Sequence, residues 1–235
     1  MPAVFSPRLD TLPVAQRRLW QSLAPTSVLG FVLYGGTAIA LRLGHRPSVD
    51  FDFFTEHPLE KDALRANFPF VAGATVLQDQ PETFTVLLSS NEVDAPNLST
   101  ERDEVKVSFF GGLNFGRIGE PGVALPGDIQ VASLVDLLAH KLKVVLQRIE
   151  AKDFLDIATL ITARVPLAMG LAGARTLFGA SFQPSECLKA LVYFEGGDLE
   201  TLSDQTRETL IDAVRAVGNL PPVPRLSNSL THENQ

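Results

Sequence analysis

Residues 35–54 read GGTAIALRLGHRPSVDFDFF, with two glycines and a threonine set a fixed distance ahead of two aspartates that alternate with phenylalanines. The preceding apolar run, Val28 to Tyr34, suits a buried strand. Thr37 to Leu43 suits a short helix stopped by Gly44, and Val49 to Phe54 alternates with the period of a strand. Gly35, Gly36 and Thr37 therefore join a strand to a helix. Such a turn presents backbone N–H groups and a hydroxyl at the positive end of the helix, where a phosphate is favoured, and glycine permits its close approach. The alternation places Asp50 and Asp52 on one face of the strand and the aromatic rings on the other. Two hard carboxylate ligands beside a phosphate cradle suit magnesium, which takes carboxylate and phosphate oxygens together with water. Glycine pairs are common at turns, and Asp-x-Asp is often only the solvated face of an amphipathic strand. The order strand, glycines, helix, strand, aspartates distinguishes the metal and nucleotide site from those alternatives.

A second group of charges lies in HKLKVVLQRIEAKDFLDI. At 100° per residue, Leu134, Leu138, Lys141, Val145 and Arg148 share one direction, whereas Asp136, His140, Lys143 and Gln147 occupy the opposite face. Two cations in a core-facing stripe need an anionic partner or a cleft. In a cleft they would neutralise a triphosphate or its leaving pyrophosphate. On that reading Lys141→Met leaves stability equal or raised. Asp153 and Asp156 start the next helix, where an acid serves either as a cap or as a functional group. In the loop before the aspartate strand, Arg46 is within reach of a nucleotide, His45 reads as a polar loop residue, and Ser48 organises the turn.

These two stretches resemble the polymerase β-like nucleotidyltransferase superfamily and, more narrowly, the AbiEii family of nucleotidyltransferase-like proteins, many of them toxins of toxin–antitoxin systems. The resemblance is carried by GGTA, LRLGHR, SVDFDF and the later KDFLDI, and spans roughly Phe31 to Ile161. It implies that Gly35, Gly36 and Thr37 hold nucleotide phosphates, that Asp50 and Asp52 bind magnesium, and that Lys141 with Asp153 or Asp156 is needed for activity. It implies a nucleoside triphosphate as substrate, transfer RNA or a protein as acceptor, and a possible antitoxin partner. The superfamily usually has a third carboxylate on a later strand. In EVKVSFF, Lys106, Ser108 and Phe110 share a face, and Ser108 stands where that acid is expected. One magnesium should then bind firmly and a second weakly, unless Asp153 or Asp156 completes the site.

The elements that must position these groups give an α+β chain, a nucleotidyltransferase-like mixed sheet with flanking helices followed by a helical bundle. Helix is expected at Leu12 to Ala24 and Pro58 to Phe68, and strands at Phe70 to Leu77, Thr83 to Ser89 and Val105 to Phe110. After about Gly127 helical periods take over at Ser133 to Ile149, Lys152 to Arg164, Leu167 to Phe178, Pro184 to Phe194 and Asp204 to Val217. The expected domains are 1–127 and 128–218, with a magnesium–nucleotide bound between them and a flexible tail at 219–235. Hydrophobic residues are 45% and charged residues 20% of the chain, an ordinary globular balance. The net charge of -7 argues against a surface coated in basic charge for nucleic acid, leaving any polyanion to be met locally. The single cysteine, Cys187, excludes an intrachain disulfide and fits a packed apolar position in a reducing compartment. No apolar run approaches the ~20 residues of a bilayer span, so a cytoplasmic protein without a membrane partner is expected. The reading is a magnesium-dependent nucleotidyltransferase that moves a nucleoside monophosphate to an acceptor hydroxyl. Its alternative is a non-catalytic nucleotide- or partner-binding module that retains the cleft. A hydrolase using the aspartates alone is weaker, since no His or Ser constellation accompanies them.

Overall fold

The computed structural model describes residues 2–89 and 104–232, and these form two compact units. Unit 1 holds the described residues of Met1–Asn114, Pro121–Ala132 and Ser229–Gln235; unit 2 holds Phe115–Glu120 and Ser133–Asn228. The break thus differs from one expected after Gly127, because strands flank that glycine on both sides and the segment 115–120 belongs with the helices.

Unit 1 comprises β1 (Val4–Phe5), α1 (Val14–Leu19), α2 (Pro25–Val28), β2 (Val32–Tyr34), α3 (Gly35–Leu43), β3 (Asp50–Phe54), α4 (Lys61–Asn67), β4 (Thr75–Gln80), β5 (Thr83–Ser89), β6 (Glu104–Phe110), β7 (Gly122–Ala124) and β8 (Ile129–Val131). The strands make one mixed sheet in the order β1-β7-β8-β2-β3-β6-β5-β4. The expected single helix at Leu12 to Ala24 is divided into α1 and a 3-10 turn at Trp20–Leu23, and Pro25 then starts α2 afresh, which takes Val28 from the run expected as a strand. Pro69–Ala72 forms a 3-10 turn, so β4 begins later than expected.

The sheet core follows from the alternation in β3. Phe51 and Phe53 are fully buried. Phe53 stacks on Phe109 of β6 at 5.7 Å between ring centres, and Phe31 and Phe68 each meet Phe109 at 5.3 Å. Large rings on one face of the central strands bury most of the apolar area that stabilises this unit. The opposite face is left to Asp50 and Asp52.

Unit 2 is helical: α5 (Leu134–Val144), α6 (Ala151–Thr162), α7 (Leu167–Phe178), α8 (Pro184–Leu191) and α9 (Asp204–Arg215). A Cβ on Gly170 would stand 2.5 Å from Leu138, so this glycine lets α7 close on α5. Cys187 is fully buried, and burial pushes its thiol up to about 12, as a packed apolar role requires. Among the described residues no single helix is long and apolar enough to cross a membrane. Residues 219–228 run without regular structure, with Arg117 bridged to Ser227 in unit 2. In unit 1, Ser229 Oγ and Leu230 N donate to the Glu56 carboxylate at 2.6 and 3.1 Å. The expected tail is therefore tied down as far as the described residues go; its last three residues lie outside them.

Part of the polar face expected for α5 is turned inward instead: Asp136 is buried and His140 is half-buried between aromatic rings. Asp136 is 1% exposed and accepts from Ile118 N, Gly119 N and Ser133 Oγ at 2.8, 3.0 and 2.6 Å. Burial raises its pKa against those hydrogen bonds. It closes the first turn of α5 with Ser133 as N-cap. His140 packs edge-on between Phe115 and Phe178, at 4.6 and 5.0 Å between ring centres. Burial pushes its pKa down from 6.5 to about 3. Between those values an unfolded chain takes up a proton that the folded imidazole refuses, so stability falls as pH drops. The loss amounts to roughly 2–3 kcal/mol from pH 6.5 to 4.5. A thermal melting series over that range should show this acid slope in the parent and its loss in His140→Leu.

Candidate active site

The site in unit 1 begins where β2 ends. Tyr34 is the N-cap of α3 in extended conformation, and its own side chain makes no capping hydrogen bond. The first N–H groups of Gly35, Gly36 and Thr37 are thus the donors at the positive end of the dipole. Gly35 has φ +76, in the left-handed region, and a Cβ there would stand 2.6 Å from Asp52 Oδ2. A Cβ on Gly36 would stand 2.5 Å from an Arg46 guanidinium nitrogen and 3.3 Å from Ser48 Oγ. The two glycines therefore admit a carboxylate and a guanidinium against the helix start, which any larger residue would displace.

Thr37 turns inward. Its hydroxyl donates to Ser48 Oγ at 2.8 Å and also meets the Asp50 carbonyl, and the residue is 1% exposed. The threonine hydroxyl thus ties α3 to the start of β3, and what it offers a phosphate is its backbone N–H. Ser48 is buried as the other half of this tie, as the turn role anticipated. Arg46 Nη1 donates to the Pro47 carbonyl at 3.0 Å. The helix ends at Gly44, φ +68, with its N–H on the Ala40 carbonyl at 2.8 Å.

Register fixes what surrounds the aspartates. In the parallel β3–β6 ladder Asp50 faces Lys106 and Asp52 faces Ser108, while antiparallel β2 sets Tyr34 beside Asp52. Asp50, Asp52, Lys106 and Ser108 therefore share one face of the sheet. Lys106 Nζ lies 3.1 Å from Asp50 Oδ2, an ion pair that the strand alternation alone did not announce. Tyr34 stacks on Phe54 at 4.8 Å, and Phe54 meets Phe110 edge-on at 5.2 Å, so aromatic rings border the acidic patch. Ser108 occupies the expected third acid position and is 3% exposed. Among the described residues no group of three or more His, Cys, Asp or Glu side chains could hold a metal ion. The donor set fits one hard cation that takes its remaining oxygens from phosphate and water.

The second group is assembled within unit 2. Lys141 Nζ lies 2.7 Å from Asp153 Oδ1 and 2.6 Å from Asp156 Oδ2, and both carboxylates are fully buried. Arg148 grips Asp153 through Nε to Oδ2 at 2.8 Å and Nη2 to Oδ1 at 3.1 Å. Burial alone would raise the Asp153 pKa, but the Arg148 hydrogen bonds and the Lys141 charge outweigh it and hold the group below its ordinary value. Of the two demands a buried cation makes, the structure answers with anionic partners. Lys141 is 6% exposed, whereas nearly half of the Arg148 side chain reaches solvent, where it lines a cleft of about 520 Å³ with Phe154, Tyr193 and Leu199.

A mixed sheet with a strand, a Gly-Gly helix start and an Asp-x-Asp strand at its centre defines a protein of the nucleotidyltransferase fold and class. The chain belongs to the AbiEii nucleotidyl transferase toxin family of type IV toxin–antitoxin systems, whose family model matches residues 18–218. It is 28% identical over 179 residues to an uncharacterized protein of Aquifex aeolicus, covering 74% of this chain and 78% of that one. A crystal structure of a candidate nucleotidyltransferase from H. pylori is 19% identical with a TM-score of 0.56, over 86% of this chain and 90% of that one, and shares its fold. MenT4, a nucleotidyltransferase toxin of Mycobacterium tuberculosis, is 17% identical with a TM-score of 0.49, over 89% of this chain and 84% of that one.

Proposed function

We propose that this protein transfers a nucleoside monophosphate from a magnesium-bound nucleoside triphosphate to an acceptor hydroxyl, on RNA such as transfer RNA or on a protein, and does so as a cytoplasmic toxin held in check by an antitoxin. Family membership supports a nucleotidyl transferase toxin, and one observation carries the site. The Asp52 carboxylate lies directly over Gly35 at the start of α3, on the same sheet face as Asp50. That single glycine contact supports reading the carboxylates as metal ligands beside N–H donors for phosphate.

In this reading the backbone N–H groups of Gly35, Gly36 and Thr37 bind the phosphates, and Asp50 and Asp52 hold the metal. A bound magnesium would offset phosphate charge and orient the triphosphate. Thr37 and Ser48 keep α3 and β3 in register, and Arg46, lying against Gly36, supplies a further cation to the phosphates. The acceptor oxygen forms a bond to the α-phosphorus in line with the bond that breaks, its proton is released, and pyrophosphate departs. Lys141 with Asp153 or Asp156 enters on family resemblance as needed for activity, and Arg148, a cation of the same helical stripe, joins them through its pair with Asp153. Arg148, through its solvent-facing side, is the member of that group available to a ligand.

A non-catalytic nucleotide-binding module is the second reading, favoured by Ser108 beside Asp52 where a third acid is expected. The two are separated by incubating the purified protein with magnesium, total cellular RNA and each nucleoside triphosphate labelled in turn at the α-phosphate. Transfer expects label on an acceptor with release of pyrophosphate, whereas the binding module expects a retained nucleotide and no product.

A further inference from the structure

The ladder that places Asp50 gives it an ammonium as neighbour. Lys106 stands opposite Asp50 on parallel β6, its Nζ 3.1 Å from Asp50 Oδ2, with Leu87 of β5 on its other side. The pair is a little over one-third exposed on each side, and at that exposure an ion pair contributes little to folding stability. Its consequence is for ligands. An ammonium within hydrogen-bond reach offsets part of the negative charge that Asp50 and Asp52 present, and it opposes a second divalent ion at Asp50 by like-charge repulsion. The same ammonium carries three donors and suits a phosphate as a point charge. Ser108, paired with Asp52, brings no charge to offset it.

We propose that Lys106 is a built-in cation of the nucleotide site, set on Asp50 so that the site works with a single divalent ion and contributing its ammonium to the triphosphate once that ligand arrives. This rests on the nucleotide-site reading above and adds to it a residue and a physical cause for the single-metal count.

The test uses the full-length protein and two binding measurements that need no turnover. Manganese binding to the protein alone is followed by the paramagnetic resonance of free ion. Binding of a non-hydrolysable triphosphate, bridged by methylene between the α- and β-phosphorus, is measured calorimetrically at saturating magnesium. Lys106→Met is expected to bind manganese about threefold more tightly, or better, since the competing charge is gone. It is expected to bind the triphosphate about tenfold more weakly, through loss of a charged hydrogen bond. Lys106→Arg should stay near the parent in both, and melting temperatures should agree across the three proteins. An unchanged manganese affinity or an unchanged triphosphate affinity in Lys106→Met overturns the role of Lys106. If the parent binds neither ligand, the nucleotide-site reading fails and takes this proposal with it. Binding by the parent that Asp50→Asn loses and Lys106→Met leaves unaltered keeps the site and rejects the lysine.

Discussion

Lys141→Met is expected to lower the stability of unit 2 by about 3–5 kcal/mol, the usual consequence of removing one partner from a buried charge group. A shift of the unit 2 melting transition on the order of 10 °C should accompany it. The sequence reading pointed the other way, toward equal or raised stability, because a lysine in an apolar stripe is a charge best removed. The structure reverses that sign. Lys141 Nζ is the shared donor of two fully buried carboxylates, and its loss takes the ammonium at 2.6 Å from Asp156 while leaving Asp153 to Arg148. Adding Asp156→Asn to Lys141→Met removes the charge that the first substitution exposed, and should recover at least part of the lost stability. Chemical denaturation of the single and double variants measures both effects. A Lys141→Met protein as stable as the parent would show that the cluster is solvated in solution.

Gly35→Ala is expected to lower activity sharply. Its backbone sits at φ +76, which costs an alanine on the order of 1–2 kcal/mol, and the new Cβ would stand 2.6 Å from Asp52 Oδ2 and 3.5 Å from its Cβ and Cγ. The carboxylate must move, and a displacement of about 1 Å at a reacting centre lowers rate on the order of a hundredfold. Gly36→Ala is expected to lose less, because the group in its way is the end of the flexible Arg46 side chain. Turnover of both variants at saturating magnesium, beside their melting temperatures, separates displaced chemistry from lost folding. Parent-like turnover in Gly35→Ala would remove Asp52 from the site.

The parts of the fold that were legible in sequence are those whose pattern has a strong period. Alternation in Val49 to Phe54 predicts the buried rings and the opposed aspartates that β3 shows, and the Gly44 stop predicts the end of α3. Short pieces leave no such trace: β1, β7 and β8 have two or three residues each, too few for a period, and β1–β7 and β2–β8 pair strands far apart along the chain. The Lys106–Asp50 pair was hidden for the same reason, since it depends on which strands are neighbours rather than on either strand alone. Over the expected helix at 133–149 the wheel located Lys141 and Arg148 on one side but left cleft and ion partner as alternatives, because a wheel carries no information about the next helix; α5 itself ends at Val144, before Arg148. Burial of Asp136 and the packing of His140 on the supposed polar face depend on the segment 115–120, which contributes Phe115 and the N–H groups of Ile118 and Gly119.

The central claim is that Asp50 and Asp52, facing the glycine-rich start of α3, support transfer of a nucleotide with magnesium. Its most direct test is the α-phosphate label assay run side by side on the parent, Asp50→Asn and Asp52→Asn, with and without magnesium, and repeated with the label at the γ-phosphate. The account predicts acceptor labelling from the α position alone, in the parent with magnesium, falling at least a hundredfold in either variant while melting temperatures hold. Labelling from the γ position, or α-labelling that persists in Asp52→Asn or without a divalent ion, would contradict it.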